Sequence, residues 1–320
     1  MHFRRRALLK ASLAAAVVSP AARAQNPQPF RIVVPLSAGS GVDQSARVLA
    51  DAVRQTSGRT AIVDNRPGAG GVIGTQEVSR AHADGNTVLL TTGGYTTNAV
   101  LMKKLPYDPI DDLLPVTLLT RSSGFALLVA QDSPFRTVQQ FLAAAREQPG
   151  KLVYGSSGIG NTTHVMGALF CKGTGVDLLH VPFKGTPVPE LIGGVVHCAF
   201  LSPAVASPAI RSGQLRGLAI SGERRSTLLP ATPTFTEAGL QVQDIPAWSG
   251  LFAPPKTSPQ ALASVYQLLS TAARSPSFSE YVRSNDGEIA MVPPAEFKSY
   301  VADEIARYRR MLPPLGIELG

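Results

Sequence analysis

Cysteine is almost missing from this chain, with Cys171 and Cys198 alone among 320 residues. They form no CxxC pair, and His2, His82, His164, His180 and His197 show no ligand spacing, so no metal centre is expected. Two buried free thiols are the expected state, although an oxidising compartment leaves a bridge open. Long apolar runs are missing too: the stretch from Ala11 to Val18 is far shorter than the roughly 20 residues of a membrane helix. Charge is sparse, at 16% of residues. Of the formal +8, five positive charges fall within residues 1–24, which carry no acid, and +3 remains for the rest. So small a surplus, without basic clusters, argues against nucleic-acid or membrane-surface binding. No dinucleotide Gly pattern, no P-loop lysine and no Gly-x-Ser-x-Gly elbow occurs, and no cofactor is expected.

What is present begins with Arg4, Arg5, Arg6 and Lys10, which lead into an alanine-rich run ending in Ala22-Arg23-Ala24. That order is a cleavable export signal, residues 1–24, and places the mature protein in the periplasm. Arg5-Arg6-x-Leu8-Leu9-Lys10 fits the twin-arginine pattern, with the general secretory route equally open. The remaining 296 or so residues exceed one core, so two lobes are predicted.

Short β-branched and aliphatic runs recur at residues 31–34, 61–63, 87–90, 125–129, 152–154 and 215–220. Continuous apolar runs of that length suit strands covered on both faces. Between them lie helical stripes, such as Ala46, Leu49, Ala50 and Val53, and Val138, Phe141, Leu142 and Ala145. Strand and helix alternate, which predicts an α/β fold with mainly parallel sheets. Two more amphipathic helices follow, one opened by Ser258 and Pro259, the other striped by Phe297, Val301, Ile305 and Tyr308.

Two Gly- and hydroxyl-rich segments each follow a strand and open a helix: residues 35–43, with Leu36, Ser37, Ala38, Gly39, Ser40 and Asp43, and residues 155–164, with Ser156, Ser157, Gly158, Ile159, Gly160, Asn161 and Thr162. Loops so placed turn unpaired N–H groups and the positive helix end outward, ready for an anion. The amides of Ser37 to Ser40 and of Gly158 to Asn161 are the expected donors. Neither loop holds Lys or Arg, which favours a carboxylate over a phosphate. A secreted serine hydrolase using Ser156 or Ser157 with His164 as base is the alternative, and it lacks a strained nucleophile turn. The string Asn65-Arg66-Pro67-Gly68-Ala69-Gly70-Gly71 reads as a turn before a helix near Val72.

Taken in order, several strings carry a resemblance: IVVPLSAGSGVD at 32–43, DNRPGAGGVIG at 64–74, GSSGIGNTTH at 155–164, HVPFKG at 180–185, GQLRGLAISGERR at 213–225 and WSGLFAPPKTSP at 248–259. The chain resembles the Bug family, periplasmic substrate-binding proteins of tripartite tricarboxylate transporters. The resemblance implies a type II periplasmic binding fold, with residues 25–124 and 221–320 in lobe one and 125–220 in lobe two. It implies a small carboxylate pinched between loops of opposite lobes, either for transport through permease subunits as partners or for sensing, with a monomer and no enzyme activity expected. It adds a third cleft loop with Gly94 and Tyr95, where Tyr95 is expected to narrow the far end. It also adds Ser202, where the family commonly has an acid.

Overall fold

The computed structural model describes residues 28–317, so the export signal read at residues 1–24 lies outside the described residues. In chain order the first elements are β1 (Phe30–Val34), α1 (Gly41–Ser57), β2 (Ala61–Asn65), α2 (Val72–Ser79), β3 (Thr87–Thr92), α3 (Gly94–Leu101) and β4 (Leu114–Ser122). There follow β5 (Ala126–Ala130), α4 (Val138–Glu147), β6 (Val153–Ser156), α5 (Thr162–Thr174), β7 (Leu179–Pro182), α6 (Val188–Ile192), β8 (Cys198–Leu201), α7 (Pro203–Arg211) and β9 (Leu215–Ile220). The chain ends with β10 (Ala247–Ala253), α8 (Pro259–Ala273), α9 (Pro276–Ser284), β11 (Gly287–Val292) and α10 (Pro294–Met311).

Two sheets result, one ordered β11-β4-β10-β3-β1-β2 and the other β7-β6-β8-β5-β9. The expectation of mainly parallel sheets needs correction, because both are mixed. β1 pairs parallel with β2 and β3, and β6 pairs parallel with β7 and β8. By contrast, β10 runs antiparallel to β3 and β4, β4 antiparallel to β11, and β5 antiparallel to β8 and β9. The reason is the chain path: β4 leaves the first sheet for the second, β10 returns, and strands joined across two bodies need no helical crossover.

Side-chain alternation divides the core. Phe30, Ile32 and Val34 pack with Leu49, Leu90 and Phe278 on one face of the first sheet. Val33 and Leu89 turn to the other, against Tyr95, Phe252 and Phe297. The second sheet covers Phe141, Phe170 and Phe200, which Phe235, Ile245, Tyr308 and Leu312 join. The segment after β9 therefore packs under the second sheet before β10 begins, as does the end of α10.

The two passages between sheets lie side by side. Phe125 N donates to Ser221 Oγ and Ser221 N to Phe125 O, each at 2.9 Å. Gly124, at φ +117°, passes so close that a Cβ would sit 2.5 Å from Ser221 Oγ. No larger residue fits there. Buried Asp286 ties both passages, accepting from Ser123 Oγ and, at 2.7 Å, from Thr227 Oγ1.

Candidate functional site

A cleft of about 260 Å³ lies between the sheets. Three helix N-termini face it. Ser40 caps α1 in extended backbone, its Oγ accepting from Asp43 N; Asn161 caps α5 and accepts from Thr163 N; Ser202 caps α7 ahead of Pro203. The cap residues and the first-turn residues Gly41, Val42, Thr162 and Ala204 all line the cleft. Among the described residues, the amides of those four first-turn residues have no protein acceptor. Each is a donor aimed along a helix dipole.

Five of the eight expected amides are already engaged, and for those the sequence reading is corrected. Gly39 N donates to Asp43 Oδ2 at 2.8 Å and Ser40 N to Ser37 O at 3.2 Å. Gly158 N goes to Ser156 Oγ, Gly160 N to His164 Nδ1 at 3.1 Å and Asn161 N to Gly158 O. The loops spend most of these amides on holding their shape, those of Ser37, Ala38 and Ile159 have no protein acceptor, and further open donors begin one or two residues later, inside the helix.

Leu36, Ser37, Ser40, Ser157, Asn161, Thr162 and Ser202 line the cleft. The others do not reach it. Ala38 and Gly39 form the back of the first loop, and Asp43, 2% exposed, braces it by accepting from Asn65 Nδ2 at 3.0 Å and from Arg47 Nε at 3.0 Å. Those donors hold the Asp43 carboxyl below its ordinary range against the opposing cost of burial. Gly94 opens α3 away from the lining, and Tyr95 does not narrow the site: it packs on Phe252 at 4.6 Å and donates to Pro109 O. Ser156 is wholly buried, Gly158 and Gly160 shape the turn, and Ile159 projects outward, 45% exposed.

Several lining residues escaped the sequence reading. Arg121 and Ser122 end β4, Trp248 and Ser249 lie on β10, Tyr281 and Asn285 flank the end of α9, and Lys184 follows β7. Among the described residues no acidic side chain lines the cleft, while Arg121 and Lys184 both do. The cleft is thus cationic. Trp248 is set by buried Glu304, which accepts from its Nε1 at 3.1 Å, from Thr96 Oγ1 at 2.6 Å and from Tyr300. Burial raises the Glu304 carboxyl above its usual range, although these donors pull the other way.

Among the described residues, two direct hydrogen bonds bridge the two sides of the cleft. Thr97 Oγ1 donates to Gly160 O at 2.6 Å and Ser37 Oγ to Lys184 O at 3.1 Å. Both run from first-sheet elements to loops of the second sheet.

The serine–histidine arrangement does not assemble as a hydrolase would need. His164 Nδ1 is occupied by the Gly160 amide, and its ring stacks on His180 with centroids 3.7 Å apart. Ser156 Oγ instead meets His180 Nε2 at 2.6 Å, at a fully buried position with no approach for a substrate. Burial holds the His180 ring down at about 4, and burial together with the His180 ring holds His164 at about 3. Both are neutral braces. Among the described residues, no group of three or more metal-ligating side chains occurs and both cysteines are free.

Two sheets joined by paired crossings around a small cleft ringed with helix N-termini define a bilobal solute-binding protein. Residues 45–317 match the model of the "Tripartite tricarboxylate transporter family receptor", and the chain belongs to that family. Protein BugT of Bordetella pertussis is 31% identical over 299 residues, covering 91% of this chain and 90% of that one. The solved structure of Rpa4515 from Rhodopseudomonas palustris with adipate matches at TM-score 0.85 and 30% identity, covering 91% of this chain and 99% of that chain. MatC from the same organism, with bound malate, matches at TM-score 0.83 and 27% identity, covering 88% and 98%.

Proposed function

We propose that the protein captures a small organic acid between its two sheets in the periplasm and delivers it to permease subunits of a tripartite transporter, without chemical turnover. The observation that carries this reading is the donor set of the cleft: open amides at three helix N-termini together with Arg121 and Lys184, and no lining carboxylate. An anion loses its hydration on entering, and oriented amides and cations replace that hydration. Two structural neighbours hold malate and adipate, both carboxylates. The basic head and Ala22-Arg23-Ala24 exit support export, with the mature chain starting near Gln25.

The proposed binding set keeps the cleft-facing residues Leu36, Ser37, Ser40, Ser157, Asn161, Thr162 and Ser202 and adds the first-turn amides. The two sheets with their packed helices are the proposed lobes. A carboxylate touching donors from both gains most when they are together, so binding favours closure. The protein acts as a monomer, since one chain supplies the whole donor set. Native mass spectrometry of periplasmic material tests this: a retained small acid on a chain processed near Gln25 supports it, whereas a full-length chain or a retained basic ligand counts against it.

A further inference from the structure

Beneath the cleft wall lies a charged side chain that does not line the cleft, Glu304 on α10. It is 4% exposed and sits where the helix passes from one core to the other: Val301 and Ile305 pack with the first sheet, Tyr308 and Leu312 under the second. Burying a carboxyl is costly unless donors meet it. Three do: Thr96 Oγ1 at 2.6 Å, Trp248 Nε1 at 3.1 Å and Tyr300 Oη at 3.2 Å. Arg307 stands 3.8 Å away, beyond hydrogen-bond reach. An ionised carboxyl only accepts, so each of the three neighbours is fixed as a donor.

Two of those donors lead to the cleft. Trp248 is part of its wall, and a Cβ added at Gly93 would lie 3.4 Å from Trp248 Nε1 and 3.1 Å from Thr162 Cγ2 on the second-sheet side. Thr96 sits in the first turn of α3, where the next residue, Thr97, donates across to Gly160 O at 2.6 Å. The Thr96 hydroxyl has one proton and two acceptors in reach, Glu304 Oε2 at 2.6 Å and Gly93 O at 2.8 Å. A charged acceptor makes the stronger bond, so the carboxylate takes the proton's bond and ties α3 to α10. Neither Thr96 nor Glu304 is among the described residues that line the cleft, so any effect of theirs on binding passes through other groups. We propose that Glu304 is a positioning residue for solute capture: it orients the indole of Trp248 on the cleft wall and holds α3 where Thr97 reaches the opposite loop. The proposal rests on the carboxylate-capture reading above and deepens it.

Two variants of the purified protein, Glu304→Gln and Thr96→Val, test this by calorimetry with acetate, malate, adipate and citrate, by thermal midpoint, and by the indole N–H resonance of its only tryptophan, Trp248. Glu304→Gln keeps the shape and loses the charge. Its indole resonance should move upfield as the acceptor weakens, and affinity for the tightest-binding acid should fall about five- to twentyfold. Thr96→Val should leave the indole resonance in place and lower affinity about two- to tenfold, the worth of one hydrogen bond. Added to Thr97→Val, it should cost less than about twofold more, because α3 then has no bond across the cleft to position. A lowered thermal midpoint with affinity unchanged marks Glu304 as a structural brace and overturns the proposal. So does an affinity loss in Glu304→Gln with the indole resonance unmoved, or full additivity of Thr96→Val and Thr97→Val. Should Glu304→Gln fail to fold, the affinities of Thr96→Val and of the double variant decide. Wild-type protein that binds none of the four acids sinks the capture reading itself, and the positioning role with it; wild-type binding with unaltered variants sinks the positioning role alone.

Discussion

The two strand-to-helix loops present the same chemistry to the cleft by different means. Both put a glycine at positive φ before the cap, Gly39 at +82° and Gly160 at +78°, and both cap the helix with a short polar side chain. The first loop is braced by an ionised group, Asp43, which gathers Gly39 N, Asn65 and Arg47. The second is braced by neutral rings, with His164 accepting from Gly160 N and His180 meeting Ser156 Oγ. Each is also held from across the cleft, the first through Ser37 Oγ on Lys184 O and the second through Thr97 Oγ1 on Gly160 O. Presentation of helix amides is thus the shared requirement, and the support beneath it is free to vary.

The largest expected break in that likeness comes from valine at the two glycines. A β-branched residue at positive φ is strained wherever it sits. At Gly39 no atom lies within 4 Å of the added Cβ, so Gly39→Val costs about the αL penalty, roughly tenfold in affinity. At Gly160 the same strain falls on a turn pinned between His164 and Thr97, and a loss of roughly a hundredfold or more is expected. Calorimetry on both variants compares them directly; equal losses would erase the distinction.

Acid should separate the loops next. His164 and His180 have folded-state values near 3 and 4 against an ordinary 6.5. The unfolded state binds more protons throughout that interval, so stability contributed by the pair is full above pH 6.5 and is lost as pH falls toward about 4. Asp43 is depressed instead, so its bracing persists until pH drops below the usual aspartate range. Hydrogen exchange on ligand-free protein between pH 6.5 and 4 should show amides of residues 156–164 opening before those of 36–43. The reverse order would contradict the assignment of supports.

A smaller effect sharpens the comparison from across the cleft. Thr97→Val keeps the shape but removes the 2.6 Å bond to Gly160 O. One neutral hydrogen bond contributes about 0.5–1.5 kcal/mol, so affinity should fall roughly two- to tenfold, with the first loop unaffected.

Much of this was legible in the sequence. Capping residues, glycines and the strand-loop-helix order located both loops, because those features are local and their spacing is fixed by the helix. Arg121 was not legible, since β4 has Pro115 near its start and the strand gains its place only by pairing with β10 and β11. Nor could the sequence show that Gly160 N is taken by His164, or that Ser156 faces His180 from 24 residues away. Those pairings depend on sheet register. Tyr95 misled for a similar reason: its loop approaches the cleft, yet the ring finds Phe252.

The central claim is that the cleft recognises negative charge through open helix amides and unpaired cations. Calorimetry of the purified protein with a dicarboxylate such as adipate, and with the corresponding diamide of the same length and shape, tests it most directly. The account predicts saturable binding of the acid and a loss of at least about a hundredfold for the neutral diamide. Equal affinity for the two would contradict it.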